Sequence, residues 1–96
     1  MANKKEMAGI FEIKDKTGRK IHLSDERWKH IIEHQEMSGQ IEQIKEALIY
    51  PDKITEDEFE RSIRYYHKHD KERKEYLFVM VKYLNGKGFV VTSFYT

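Results

Sequence analysis

The pair Asn85-Gly86 constrains this chain more than any other two residues. It is flanked by a run from Tyr76 to Leu84 and another from Gly88 to Thr96, both rich in Val, Phe and Tyr. Such runs around Asn-Gly specify a tight β-hairpin, because both central turn positions need positive φ. The runs are mostly apolar, which places the hairpin centrally in a sheet. Lys82, Thr92, Ser93 and Tyr95 interrupt them. A largely buried strand pair has little structural use for a lysine, so these positions form a candidate site.

Ninety-six residues suffice for one hydrophobic core and not for two. Charged residues make up 36% and hydrophobic ones 39% of the chain, the balance of a globular domain with a heavily solvated surface. There is no cysteine, which excludes disulfides, thiolate metal sites and thiol catalysis. No apolar stretch approaches the roughly 20 residues that span a bilayer, and the start, Met1 to Glu6, lacks the apolar core of a signal peptide. A cytoplasmic location and no membrane partner are the expectation. The net charge of +1 hides an asymmetry: residues 1–60 carry 10 basic and 14 acidic side chains, residues 61–96 carry 8 and 3. The second part, assigned to the sheet, is therefore the one suited to a polyanion.

Residues 1–8 read as a flexible leader, followed by a single domain over 9–96. Ile10–Lys14 and Lys20–Leu23 are two short strands around the turn Asp15-Lys16-Thr17-Gly18. Ser24, with Asp25 and Glu26 after it, is a helix N-cap with acids in the first turn. The spacing predicts a helix to about Glu36 that buries Trp28, Ile31 and Ile32 on one stripe, with Ser38-Gly39 breaking it. A second helix is expected over 40–49, with Ile41, Ile44 and Leu48 on one face and Pro51 as its stop. Lys53–Asp57 and Arg61–Tyr66 are predicted strands, and the charged run His67–Lys74 a long turn. The fold class is α+β: an N-terminal hairpin, then two helices packed on one face of a four- or five-stranded antiparallel sheet.

His30-Ile-Ile-Glu33-His34 matches the H-x-x-E-H pattern of the inverted zinc peptidases. Two histidines four apart on a helix can ligate one zinc, yet that chemistry needs a third ligand and a large substrate cleft. The short helix and small sheet that follow leave little room for one, so no metal ligand is assigned. At about 100° per residue, His34 lies at the border of the apolar stripe, and His30 faces solvent. A border histidine at a helix end can reach past the sheet edge into a groove.

Strict alternation sorts the terminal hairpin into two faces. One carries Phe78, Met80, Lys82, Val91, Ser93 and Tyr95; the other carries Leu77, Val79, Val81, Val90, Thr92 and Phe94. The second is nearly all aliphatic and should pack under the helices, which makes Thr92 a core threonine unless a bulge re-aims it. If Ile63 faces the core, Arg64 and Tyr66 join Lys82. One groove then holds Arg64, Tyr66, Lys82, Ser93 and Tyr95, with His34 at its rim and His67 and Lys68 as further substrate contacts. Cations, hydroxyls and an imidazole suit phosphodiester cleavage without a metal or cofactor: a base activates the ribose 2′-OH, an acid protonates the leaving 5′-oxygen, and Lys or Arg stabilises the phosphorane. Tyrosines can stack on bases.

The order of elements, with Trp28–His34, Ile41–Ile54, Arg64–His67, Val81-Lys82 and the ending Gly88–Thr96, resembles the small toxin-type nucleases of the barnase/EndoU/colicin/RelE-like group, especially their phage-associated branch. The likeness covers about residues 20–96. It implies helices on an antiparallel sheet and metal-independent endoribonuclease activity that leaves a 2′,3′-cyclic phosphate on RNA such as tRNA or mRNA. The family's helix histidine falls on His34, its strand cation on Arg64 or Lys82, and its closing hydroxyls on Thr92, Ser93 or Tyr95. The family pattern stresses Thr92, which alternation buries; both readings stand at this point. Relatives occur as free toxins with a neutralising antitoxin or immunity protein, or as pieces of larger toxins and phage proteins. The competing expectation is a non-catalytic RNA- or protein-binding module of the same fold.

Overall fold

The computed structural model describes residues 9–96; the leader expected over 1–8 lies outside the described residues. In chain order the elements are β1 (Phe11–Lys14), β2 (Lys20–Leu23), α1 (Asp25–Ile31), a 3-10 turn (Gln35–Met37), α2 (Ile41–Ile49), β3 (Lys53–Glu56), β4 (Ile63–Asp70), β5 (Glu75–Leu84) and β6 (Lys87–Tyr95). The strands form one six-stranded sheet in the order β1-β2-β6-β5-β4-β3. All neighbours are antiparallel except β2 and β6, which run parallel through Ile21↔Gly88 and His22↔Phe89. The α+β class and the helices on the sheet are as expected. The strand count rises to six because this parallel pairing draws the N-terminal hairpin into the main sheet.

The terminal hairpin forms as its turn demands. Asn85 and Gly86 have φ of 53° and 83°, the left-handed pair of a two-residue turn. Between Met80 and Val81 the register shifts: Met80 pairs with Thr92, but Val81 pairs with Val90. Val91 is left unopposed, a bulge that reverses the facing of every later residue of β6 relative to strict alternation.

Ser24 caps α1, its side-chain oxygen accepting from the Arg27 amide at 3.1 Å. The helix stops at Ile31, short of the expected Glu36. Glu33 and His34 donate their amides to the carbonyls of His30 and Ile31 at 3.2 and 3.1 Å, the tightening that leads into the 3-10 turn. A continuous helix would carry Met37 roughly 120° off the Ile31 stripe; the break returns Met37 to the core, fully buried. Ile32, expected inside, is exposed. β4 runs on through Asp70, so His67–Asp70 are strand where a turn was expected. Its length follows from a full antiparallel register with β5, from Ile63↔Lys82 to Asp70↔Glu75.

The core joins Ile31, Met37, Ile44, Ala47 and Leu48 of the helical layer to Phe11, Ile21, Leu23, Tyr66, Leu77, Val79, Val81 and Val90 of the sheet. Buried among them is one carboxylate. Asp15 Oδ1 accepts from the Thr17 amide (2.9 Å), the Thr17 hydroxyl (2.8 Å) and the Arg19 amide (2.9 Å). Its Oδ2 accepts from the Tyr66 hydroxyl, which is also bonded to that of Tyr83. Burial opposes ionisation of Asp15, but the hydrogen bonds from Tyr66, Thr17 and Arg19 outweigh it and hold the carboxyl below the usual carboxylate range.

Candidate functional site

Cross-strand register places the side chains on two faces. The rows Arg64–Val81–Val90, Tyr66–Val79–Ser93 and Lys68–Leu77–Tyr95 lie on the face that the helices cover. The rows Ile63–Lys82–Phe89–His22–Glu12, Tyr65–Met80–Thr92 and His67–Phe78–Phe94 lie on the opposite, open face. The groove expected from alternation is thus divided. Arg64, Tyr66, Ser93 and Tyr95 are on the helix side, while Lys82 is on the open side, joined there by Thr92. Two causes act together: Tyr66 rather than Ile63 enters the core, and the bulge reverses Thr92, Ser93 and Tyr95.

Most helix-side polar groups are engaged by other residues. Tyr66 is fully buried, and burial, reinforced by its bond to Asp15, pushes its hydroxyl pKa far above the ordinary tyrosine value. Ser93 donates to the Phe78 carbonyl at 2.7 Å. Tyr95 donates to Gln40 Oε1 at 2.7 Å and carries the Arg73 guanidinium 3.9 Å from its ring centroid. Arg64 pairs with Glu56 at 3.6 Å and lies 5.4 Å from the Tyr83 ring centroid. Beside these residues a groove of about 640 Å³ runs between α2 and the β4–β5 turn, lined by Glu46, Asp52, Asp70 and Glu72 against Lys68 and Lys71, with His69 and Tyr95. Four carboxylates against two ammonium groups make it a poor seat for a phosphate.

The open face differs. A hollow of about 230 Å³ is lined by Lys82, Arg27, His22, Ser24, Leu84 and Phe89 and by no carboxylate. The Lys82 ammonium contacts Glu60 at 3.5 Å, the two side chains being about half exposed, a pairing worth little beside water. Further along, Phe78 and Phe94 stack with centroids 5.6 Å apart, and the His67 ring meets Phe78 edge-on at 4.3 Å. His67 Nε2 lies 2.9 Å from the Thr55 hydroxyl. Burial, and then the charge of Lys53, lower the His67 pKa, favouring the neutral ring.

His34 leads the 3-10 turn, exposed, and its side chain makes no capping bond. Because α1 ends before it, His30 and His34 do not share a helical face; His30 contacts Glu33 at 3.9 Å instead. Among the described residues no group of three His, Cys, Asp or Glu side chains is arranged to hold a metal ion, and no helix is long and apolar enough to cross a membrane. Two lining residues escaped the sequence reading. His22 was legible as the outward position of Ile21-His22-Leu23; Arg27 carries no local signal.

A six-stranded α+β sheet with one face under helices and a cationic hollow where the open face meets the start of α1 is an architecture fit to bind a polyanion. Residues 2–96 match the family model described as phage-Barnase-EndoU-ColicinE5/D-RelE like nuclease2. The chain belongs to that nuclease family, whose substrates are nucleic acids. No curated protein and no solved structure matches it.

Proposed function

We propose that the protein is a metal-independent endoribonuclease of toxin type, acting on RNA at the open sheet face. The observation that carries this reading is the contrast in linings: the hollow beside Lys82 presents Lys82 and Arg27 without a carboxylate, whereas the larger groove is predominantly acidic. A phosphodiester seated between these cations has its developing charge stabilised as the 2′-oxygen attacks. Thr92 lies on the same face, and the Phe78–Phe94 stack offers ring surface to unpaired bases. Arg64, Ser93 and Tyr95 support the site from the other side of the sheet, and His34 stands outside the hollow's lining. In this reading the protein works in the cytoplasm, with an antitoxin or immunity protein covering the open face.

The test is incubation of the purified protein with a single-stranded RNA and with the DNA of the same sequence, both in EDTA. Cleavage of the RNA alone, leaving 2′,3′-cyclic phosphate ends, is expected. Equal cleavage of the DNA would rule out attack by the 2′-OH. Binding of RNA without cleavage would make the protein a binding module.

A further inference from the structure

The register aligns Glu12, His22, Phe89 and Lys82 in one row across four adjacent strands of the open face. With strands about 4.8 Å apart, the backbones of His22 and Lys82 stand roughly 10 Å from each other with Phe89 between them. Both side chains line the same hollow, so an imidazole and an ammonium group flank one phenyl ring.

His22 is held on three sides. Glu12 Oε1 lies 3.8 Å from Nδ1. The Phe89 ring meets the imidazole edge-on, centroids 6.1 Å apart. The third side is the backbone at Gly9, where any Cβ would stand 2.7 Å from His22 Cε1 and 3.3 Å from Nε2. The ring therefore rests where only a glycine leaves room for it. It stays partly solvated, with 25% of its side chain exposed, and the core cluster does not include it.

We propose that His22 is the proton acceptor of the ribonuclease reaction, a role that rests on the function proposed above. His22 takes the proton of the ribose 2′-OH. The 2′-oxygen–phosphorus bond forms, the phosphorus–5′-oxygen bond breaks, and the departing 5′-oxygen takes a proton from water in the open hollow. Lys82, across Phe89, faces the charge gathering on the phosphoryl oxygens. Glu12, 3.8 Å from Nδ1 and beyond hydrogen-bond distance, offsets the charge of the imidazolium as it forms.

The experiment compares the unaltered protein, His22→Ala and His22→Gln on two substrates. One is a single-stranded RNA; the other is a ribonucleoside 3′-(4-nitrophenyl phosphate), whose leaving group departs without being protonated. Both variants should lose on the order of 10²-fold or more in kcat on both substrates. They should keep their affinity for an RNA carrying a 2′-deoxy sugar at the cleavage site, and melt as the unaltered protein does. Glu12→Gln should give a smaller loss in the same parameter. Full activity of the folded His22 variants on RNA would remove His22 from the chemistry while leaving the ribonuclease reading intact. A rate restored on the nitrophenyl substrate alone would make His22 the proton donor and overturn the proposal. If the unaltered protein cleaves neither substrate, the ribonuclease reading falls and His22's role falls with it.

Discussion

The polar cluster around Asp15 and the polar row through Lys82 lie on opposite sides of one sheet, the first built of a carboxylate and hydroxyls, the second of Glu12, His22 and Lys82. On the helix side, Asp15, Tyr66 and Tyr83 satisfy one another, with Tyr66 and Asp15 buried. On the open side, Lys82 and Arg27 share a hollow, and the pairs beside it, Lys82–Glu60 and His22–Glu12, are partly solvated. The difference is one of desolvation. A buried polar group must be satisfied internally, because an unmet one costs about 1–3 kcal/mol. A solvated group has water as partner and can exchange it for a substrate. Asp15, Tyr66 and Tyr83 on the covered face are therefore committed to the fold, whereas Lys82 and Arg27 beside the open face remain available.

The largest expected effect lies on the helix side. Asp15→Ala strips the acceptor from the Tyr66 and Thr17 hydroxyls and two backbone amides, and should cost about 3 kcal/mol or more, read from urea unfolding. A loss within experimental scatter would show that the cluster is not structural and collapse the contrast between the faces. Acid should reach the same residue. Because the folded-state pKa of Asp15 is depressed, the stability it contributes is present above its unfolded value of about 3.9 and is lost as pH falls through the folded value. Unfolding midpoints followed down the acid range should drop more steeply for the unaltered protein than for Asp15→Ala.

Lys82→Ala should invert that pattern. Stability should stay within about 1 kcal/mol, as for a solvated position. RNA affinity should fall, and the slope of log K against log salt should become shallower by about 0.7, one phosphate contact on a single strand. An unchanged slope would take the backbone away from this hollow. The smallest effect belongs to Glu60→Gln. Releasing Lys82 from an exposed pair worth at most about 1 kcal/mol should tighten RNA binding by up to fivefold at low salt, and the gain should vanish as salt rises.

Much of this was legible residue by residue. Asn85-Gly86 announced the last hairpin, Ser24 the start of α1, and Pro51 the end of α2, because each acts through its own backbone and immediate neighbours. Lys82 was legible as an anomaly, a charge in an apolar strand. The grouping around it was not. Alternation put Ser93 and Tyr95 beside Lys82 and buried Thr92, and the bulge at Met80/Val81 reversed all three. The apolar Ile63 pointed to its own face as the core side of β4, and the fit of Tyr66 to Asp15, distant in sequence, decided for the other.

By itself the sequence determined an α+β fold, the order of its helices and strands, the tight final turn, and a basic second part suited to a polyanion. These follow from composition and from interactions spanning a few residues. The tertiary structure alone decided the parallel junction of β2 with β6, the row that brings His22 into line with Lys82, and the hollow that Arg27 completes. Each depends on strand register, and register is set by pairing between distant segments, where a shift of one residue turns every later side chain to the other face.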